Sequence, residues 1–217
     1  MKNAIHTKVK SHLIKIKQLY FKLIRLELDN FRLIILCEGF SIEELSNIHL
    51  TTSGSDQKIT ERRKLMYETF YSQKQDIVDS FFLTLAKLFD ESKRNKPISV
   101  PTLVTFLSNN IHLFDEKTKV QKMIKEYQEK LIEVEDILNI IKEHRDQCLA
   151  HNDPKKNCGH LENLTTNETR KIMDVIFNIV NEVSELFDVS KIDKSEIERI
   201  RSESFNKNYR LLEKFEQ

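Results

Sequence analysis

The chain has 217 residues, 39% of them hydrophobic and 32% charged, with 3 Gly, 3 Pro, 3 Cys and no Trp. Sheet proteins need Gly, Pro, Asn and Asp at every turn, so this poverty predicts long helices. With Gly39, Gly54 and Gly159 far apart it also excludes a P-loop, a dinucleotide fingerprint and a nucleophile elbow, while a net charge of +1 gives no global sign of nucleic-acid binding.

The first helix is expected over 1–40, with an apolar face of Ile5, Val9, Leu13, Ile16, Tyr20 and Leu23 recurring at helical spacing. Residues 1–25 hold Lys2, Lys8, Lys10, Lys15, Lys17, Lys22 and Arg25, and the first carboxylate is Glu27. This is a local basic surface inside a neutral total. Its lysines flank an apolar stripe, so a solvated helix face is the first reading and non-specific phosphate attraction the second. Membrane-surface binding ranks below both, because no Trp accompanies the lysines. Lys15, Lys17 and Lys22 interrupt every apolar run a signal peptide would need. The longest uncharged stretch, Pro97 to Phe114, is too polar for a membrane span. Cys37, Cys148 and Cys158 cannot all pair within one chain. A soluble protein of the reducing cytoplasm is expected.

Ser41 and Glu44 have the spacing of a capping box opening a short helix, and 49–57 is a loop. A second long helix follows, with Met66, Phe70, Ile77, Phe81, Leu85 and Leu88 on its stripe. The run Ser92 to Pro101 breaks it, and Ser99 caps a short helix to about Asn109. A third long helix is predicted over about 115–152, its seam stepping through Val120, Ile124, Tyr127, Leu131, Val134, Leu138 and Ile141. Asp153-Pro154 ends it. Thr165 with Glu168 reads as another capping box, opening a helix that carries Ile172, Val175, Ile176, Ile179, Val183 and Leu186. The architecture expected is an all-α antiparallel bundle of about five to six helices. Residues 1–190 form one domain, with a charged helix over 191–217 packed on or beside it.

Beyond Ile141 the same stepping reaches Arg145 and Cys148. A guanidinium on a core-facing stripe is costly to desolvate unless it is paired or faces a cleft. Around it lie His144, Asp146, His151, Asn152 and Asp153, so that ionisable and nucleophile-capable residues gather where the apolar seam points.

The string His144-Arg145-Asp146-Gln147-Cys148-Leu149-Ala150-His151-Asn152-Asp153 resembles the signature of the HEPN superfamily: Arg, a polar residue, then His after four to six intervening residues. Within it the longer match is to abortive-infection AbiU-type proteins. Those join an Arg-Asp…Ala-His-x-Asp ending to an upstream segment much like Ser80 to Asp90. The resemblance implies a HEPN-like bundle acting as a metal-independent endoribonuclease, a toxin or effector in phage defence or a toxin–antitoxin system.

It implies catalysis by Arg145, His151 and Asp146 without a cofactor. RNA carries its own nucleophile, the 2′-OH. The enzyme then needs a proton acceptor near neutrality, which His151 supplies, and a cation for the crowded phosphate, which Arg145 supplies. Asp146 orients Arg145 or meets the substrate, and Asp153 fixes the His151 tautomer. Lys155 and Lys156, past the helix end, steer the RNA backbone, or else form a solvated loop pair. On a straight helix six residues advance about 9 Å and turn Arg145 and His151 about 120° apart. Either the chain leaves helical geometry before His151, or two motifs combine at a two-fold interface. HEPN relatives do the latter, so a homodimer with a composite site is expected. An antitoxin or activating protein is the other partner expected. Some HEPN toxins carry a modified Tyr two residues after the motif His; here that residue is Asp153, so silencing by that modification is not expected.

Two other functions compete. One is a non-catalytic helical interaction module of a defence system. The other is a metal protein: His144, Cys148 and His151 step by four and three, and Cys158 and His160 follow, although the spacing matches no common structural zinc pattern. A zinc site has no need of Arg145, whereas a phosphate site does.

Overall fold

A computed structural model describes residues 2–38, 54–91, 98–146 and 164–203. Among them there is no strand, and the helices are α1 (Lys2–Glu38), α2 (Gly54–Leu88), α3 (Val100–Asn109), α4 (Lys117–Glu133), α5 (Glu135–His144), α6 (Thr166–Leu186) and α7 (194–203), with a 3₁₀ turn at Ile111–Leu113. No described helix is long and apolar enough to cross a membrane. The capping box expected at Ser41 lies outside the described residues.

Local chemistry sets the helix starts. Ser99 is the N-cap of α3, its hydroxyl accepting from the Thr102 amide at 3.3 Å and donating to the Asp90 carbonyl at 2.6 Å. Pro101 sits in the first turn, where its missing N–H costs nothing. Thr165 and Glu168 close a reciprocal capping box at α6. That helix ends in a Schellman turn, with Val189 N–H on the Ser184 carbonyl and Asp188 at φ 48°, a left-handed position that Asp tolerates better than most side chains.

Two boundaries differ from the sequence expectation. α2 begins at Gly54, inside the expected loop over 49–57, because Ser55 and Asp56 suit a helix's first turn. The long helix expected over 115–152 is two helices, broken at Val134 (φ −116°, ψ 6°). Lys130 in the last turn of α4, and Glu135 with Asp136 in the first turn of α5, have the signs that two helix ends favour. The seam survives the break, with Val134, Leu138 and Ile141 all buried.

The chain divides into two compact units, residues 1–23 with 82–194 and residues 24–81 with 195–217. In the first, α1 runs antiparallel to α6: His6 stacks on Phe187 with centroids 4.8 Å apart, and Tyr20 lies 6.3 Å from Phe177. α4 packs on α3, α6 and the 3₁₀ turn. The core of this unit joins Val9, Leu13 and Ile16 of α1 to Leu103, Leu107, Ile141, Ile172 and Ile176. In the second unit, α7 buries Ile197 and Ile200 and ties its outer face with Arg199–Glu203 and Arg201–Glu198 pairs.

Candidate active site

The end of α5 carries the charged group singled out in the sequence. Regular α-helix stops at His144, and Arg145 and Asp146 form a π-type turn. Such single-turn widenings recur at functional sites because they change the direction of the side chains that follow. The site lies within the first unit throughout.

The structure corrects the seam at this point. The inward position after Ile141 is His144, 5% exposed, rather than Arg145. The His144 ring meets the Phe82 ring edge-on at 6.3 Å. An imidazole is cheaper to bury than a guanidinium, so His144 takes the inward place and Arg145, still in α-helical geometry, takes the partly exposed one beside it. Its side chain is 29% exposed, against 59% for Asp146.

Arg145 Nε donates to Asp146 Oδ1 at 2.7 Å. That hydrogen bond raises the Arg145 pKa above its ordinary value. Partial burial opposes it, and the charges of Asp146 and then Asp90 add to it. Because the bond uses Nε, the terminal Nη groups make no hydrogen bond to another described residue. They are the donors that match two phosphate oxygens.

Asp90 is the functional candidate that the motif alone misses. It ends the upstream segment Ser80 to Asp90, its charge acts on Arg145, and its carbonyl accepts from the Ser99 cap. Phe82 of the same segment touches His144. The two stretches that carried the family resemblance, far apart in sequence, therefore meet at one place. That recurring segment was the signal that could have identified Asp90.

Of the expected site residues, the structure thus brings Arg145 and Asp146 together. His151, Asp153, Lys155 and Lys156 lie outside the described residues. So do Cys148, Cys158 and His160 of the alternative metal set. Among the described residues no group of three or more His, Cys, Asp or Glu is placed to hold a metal ion.

A HEPN family model described as AbiU2 matches residues 8–207, spanning both recurring segments and most of the helices that support them. No curated protein and no solved structure matches the chain.

Proposed function

The chain belongs to the AbiU2 family of HEPN proteins, a membership that associates it with abortive infection, and from that premise we propose that it is a metal-independent endoribonuclease acting as a toxin or effector in phage defence. The observation that carries this reading is Arg145: a largely covered cation at the end of α5, held through Nε by Asp146 and acted on by the charge of Asp90, where the two stretches of the family resemblance come together.

In the proposed reaction the 2′-oxygen of RNA attacks the adjacent phosphorus. Its proton passes to His151 as general base while Arg145 stabilises charge on the non-bridging oxygens. The P–O5′ bond breaks and the 5′-oxygen takes a proton, leaving a 2′,3′-cyclic phosphate and a 5′-OH. The acid for that last transfer is the second His151 of a two-fold dimer, whose two motifs line one cleft. Asp146 is a positioning residue for Arg145. Lys155 and Lys156 steer the RNA backbone toward the cleft.

The test uses end-labelled transfer RNA and a random-sequence RNA in EDTA, with wild type, Arg145→Ala and His151→Ala. Cleavage survives EDTA in the wild type and falls by at least about 10²-fold in each variant, the usual cost of removing one transition-state partner. Equal cleavage by all three proteins would return Arg145 to a structural role.

A further inference from the structure

A reaction on RNA needs a surface that holds the polymer as well as a site that cuts it. The N-terminal part of α1 has an unusual charge balance for such a surface. Lys8, Lys15 and Lys22 recur every seventh residue, a step that returns to within about 20° of the same helix face and advances about 10.5 Å. All three side chains are exposed. The row flanks the apolar face of Ile5, Val9, Leu13, Ile16, Tyr20 and Leu23, which is buried.

Three lysines of α4 in the same unit are paired instead. On α4, Lys119 pairs with Glu116 at 3.1 Å, Lys122 with Glu126 at 3.5 Å and Lys125 with Glu129 at 3.7 Å. The α1 row has no counterpart to these pairs among the described residues. No carboxylate precedes Glu27 in the sequence. The neighbouring α3, whose Phe106 lies beneath the row, carries no charged residue at all. Lys8 Nζ sits 4.6 Å from the Phe106 ring centre, and the His12 ring lies 6.3 Å from the same ring.

His12, between Lys8 and Lys15, registers the field. Burial first, and then the charges of Lys8 and Lys15, push its pKa below the ordinary histidine value. Its Nδ1 is buried without a hydrogen-bond partner. Lys17, on a different side of the helix, is already engaged, donating to the Ser190 carbonyl.

We propose that the Lys8–Lys15–Lys22 row of α1, uncompensated by any carboxylate on α1 before Glu27 or on α3, is the docking track for the phosphate backbone of single-stranded RNA. The identity of the polymer rests on the ribonuclease reading; the track itself rests on charge and spacing. A regular row of unpaired ammonium groups suits a polymer with a regular row of phosphates. A membrane surface fits less well, because the apolar face such a helix would insert is buried within the unit. Base identity is not read, since the row offers point charges alone.

The experiment measures binding apart from cleavage. Full-length protein in EDTA is titrated into fluorescent 2′-O-methyl RNA, which lacks the attacking hydroxyl, across a series of salt concentrations. The Lys8→Gln/Lys15→Gln/Lys22→Gln variant loses at least about tenfold in affinity at low salt. Its slope of log K against log salt shrinks by about 2, as three fewer phosphate contacts on a single strand require. Its thermal melt matches wild type, and Lys119→Gln/Lys122→Gln/Lys125→Gln binds as wild type does. Arg145→Ala tests the other reading: it loses cleavage of ordinary RNA yet keeps the α1 contribution to the salt slope. An unchanged slope in the α1 variant overturns the track even if cleavage is real. Binding of polyglutamate or of anionic phospholipid vesicles as tight as that of RNA, and lost in the same variant, overturns it in favour of an acidic protein or a membrane.

Discussion

At Arg145 two opposing effects act on one guanidinium. Partial burial favours loss of its charge, and the Asp146 hydrogen bond with the Asp146 and Asp90 charges favours keeping it; the second group prevails. Arg145 is therefore a fixed cation across the working pH range, which leaves the proton transfers of the proposed reaction to another group. The role of Asp146 is testable separately from that of Arg145. Asp146→Asn keeps a hydrogen-bond acceptor but removes the charge, and cleavage should fall by about tenfold, short of the roughly 10²-fold that a fully misplaced group can cost. Asp90→Asn added to it should deepen the loss, because both carboxylates act on the same guanidinium. Steady-state cleavage rates of the single and double variants, with their melting temperatures, check this. A double variant no worse than the single would remove Asp90 from the site. The sequence made Arg145 and Asp146 conspicuous through their spacing to His151. It could not distinguish a step of three from a step of four beyond Ile141, because both are helical steps and the choice depends on which side chain is cheaper to bury.

Among the elements, the starts of α3 and α6 were legible because capping chemistry is local: Ser99 and Thr165 act on amides three residues away. The break at Val134 was not, since the apolar seam runs through it unchanged and no Pro or Gly marks it. Ser99→Ala removes the α3 cap and one partner of the Asp90 carbonyl, and should cost about 2 kcal/mol in urea unfolding. The Glu168 carboxylate is held below its ordinary pKa by hydrogen bonds from the Thr165 backbone and side chain. A folded pKa depressed below the unfolded one gives stability that is present above the unfolded value and lost as pH falls through the folded one. Urea titrations from pH 7 down to pH 3 should therefore show wild type losing more stability than Glu168→Gln. Parallel curves would remove the capping box from the acid sensitivity.

For the whole molecule, the poverty of Gly and Pro was enough to predict an all-helical chain, and the family match bears that out. Two of the three borders between the compact units fall inside α1 and α2, between Leu23 and Ile24 and between Phe81 and Phe82, with no change of composition to mark them; the third lies between Lys194 and Ser195, at the start of α7. The approach of Phe82 to His144 and the action of the Asp90 charge on Arg145 were legible only through the two stretches of the family resemblance, since no local rule links residues so far apart. The composite site proposed for the reaction would be built from two copies of the chain. Sedimentation at micromolar concentration should give twice the 25.8 kDa chain mass, and a monomer would contradict a shared cleft. The central claim is attack by the 2′-OH, and the ends of the products test it most directly. RNA cut by wild type in EDTA should carry a 2′,3′-cyclic phosphate and a 5′-OH, and the same sequence with 2′-O-methyl groups should stay intact. Cleavage of the methylated RNA, or products with a 5′-phosphate and a 3′-OH, would contradict it.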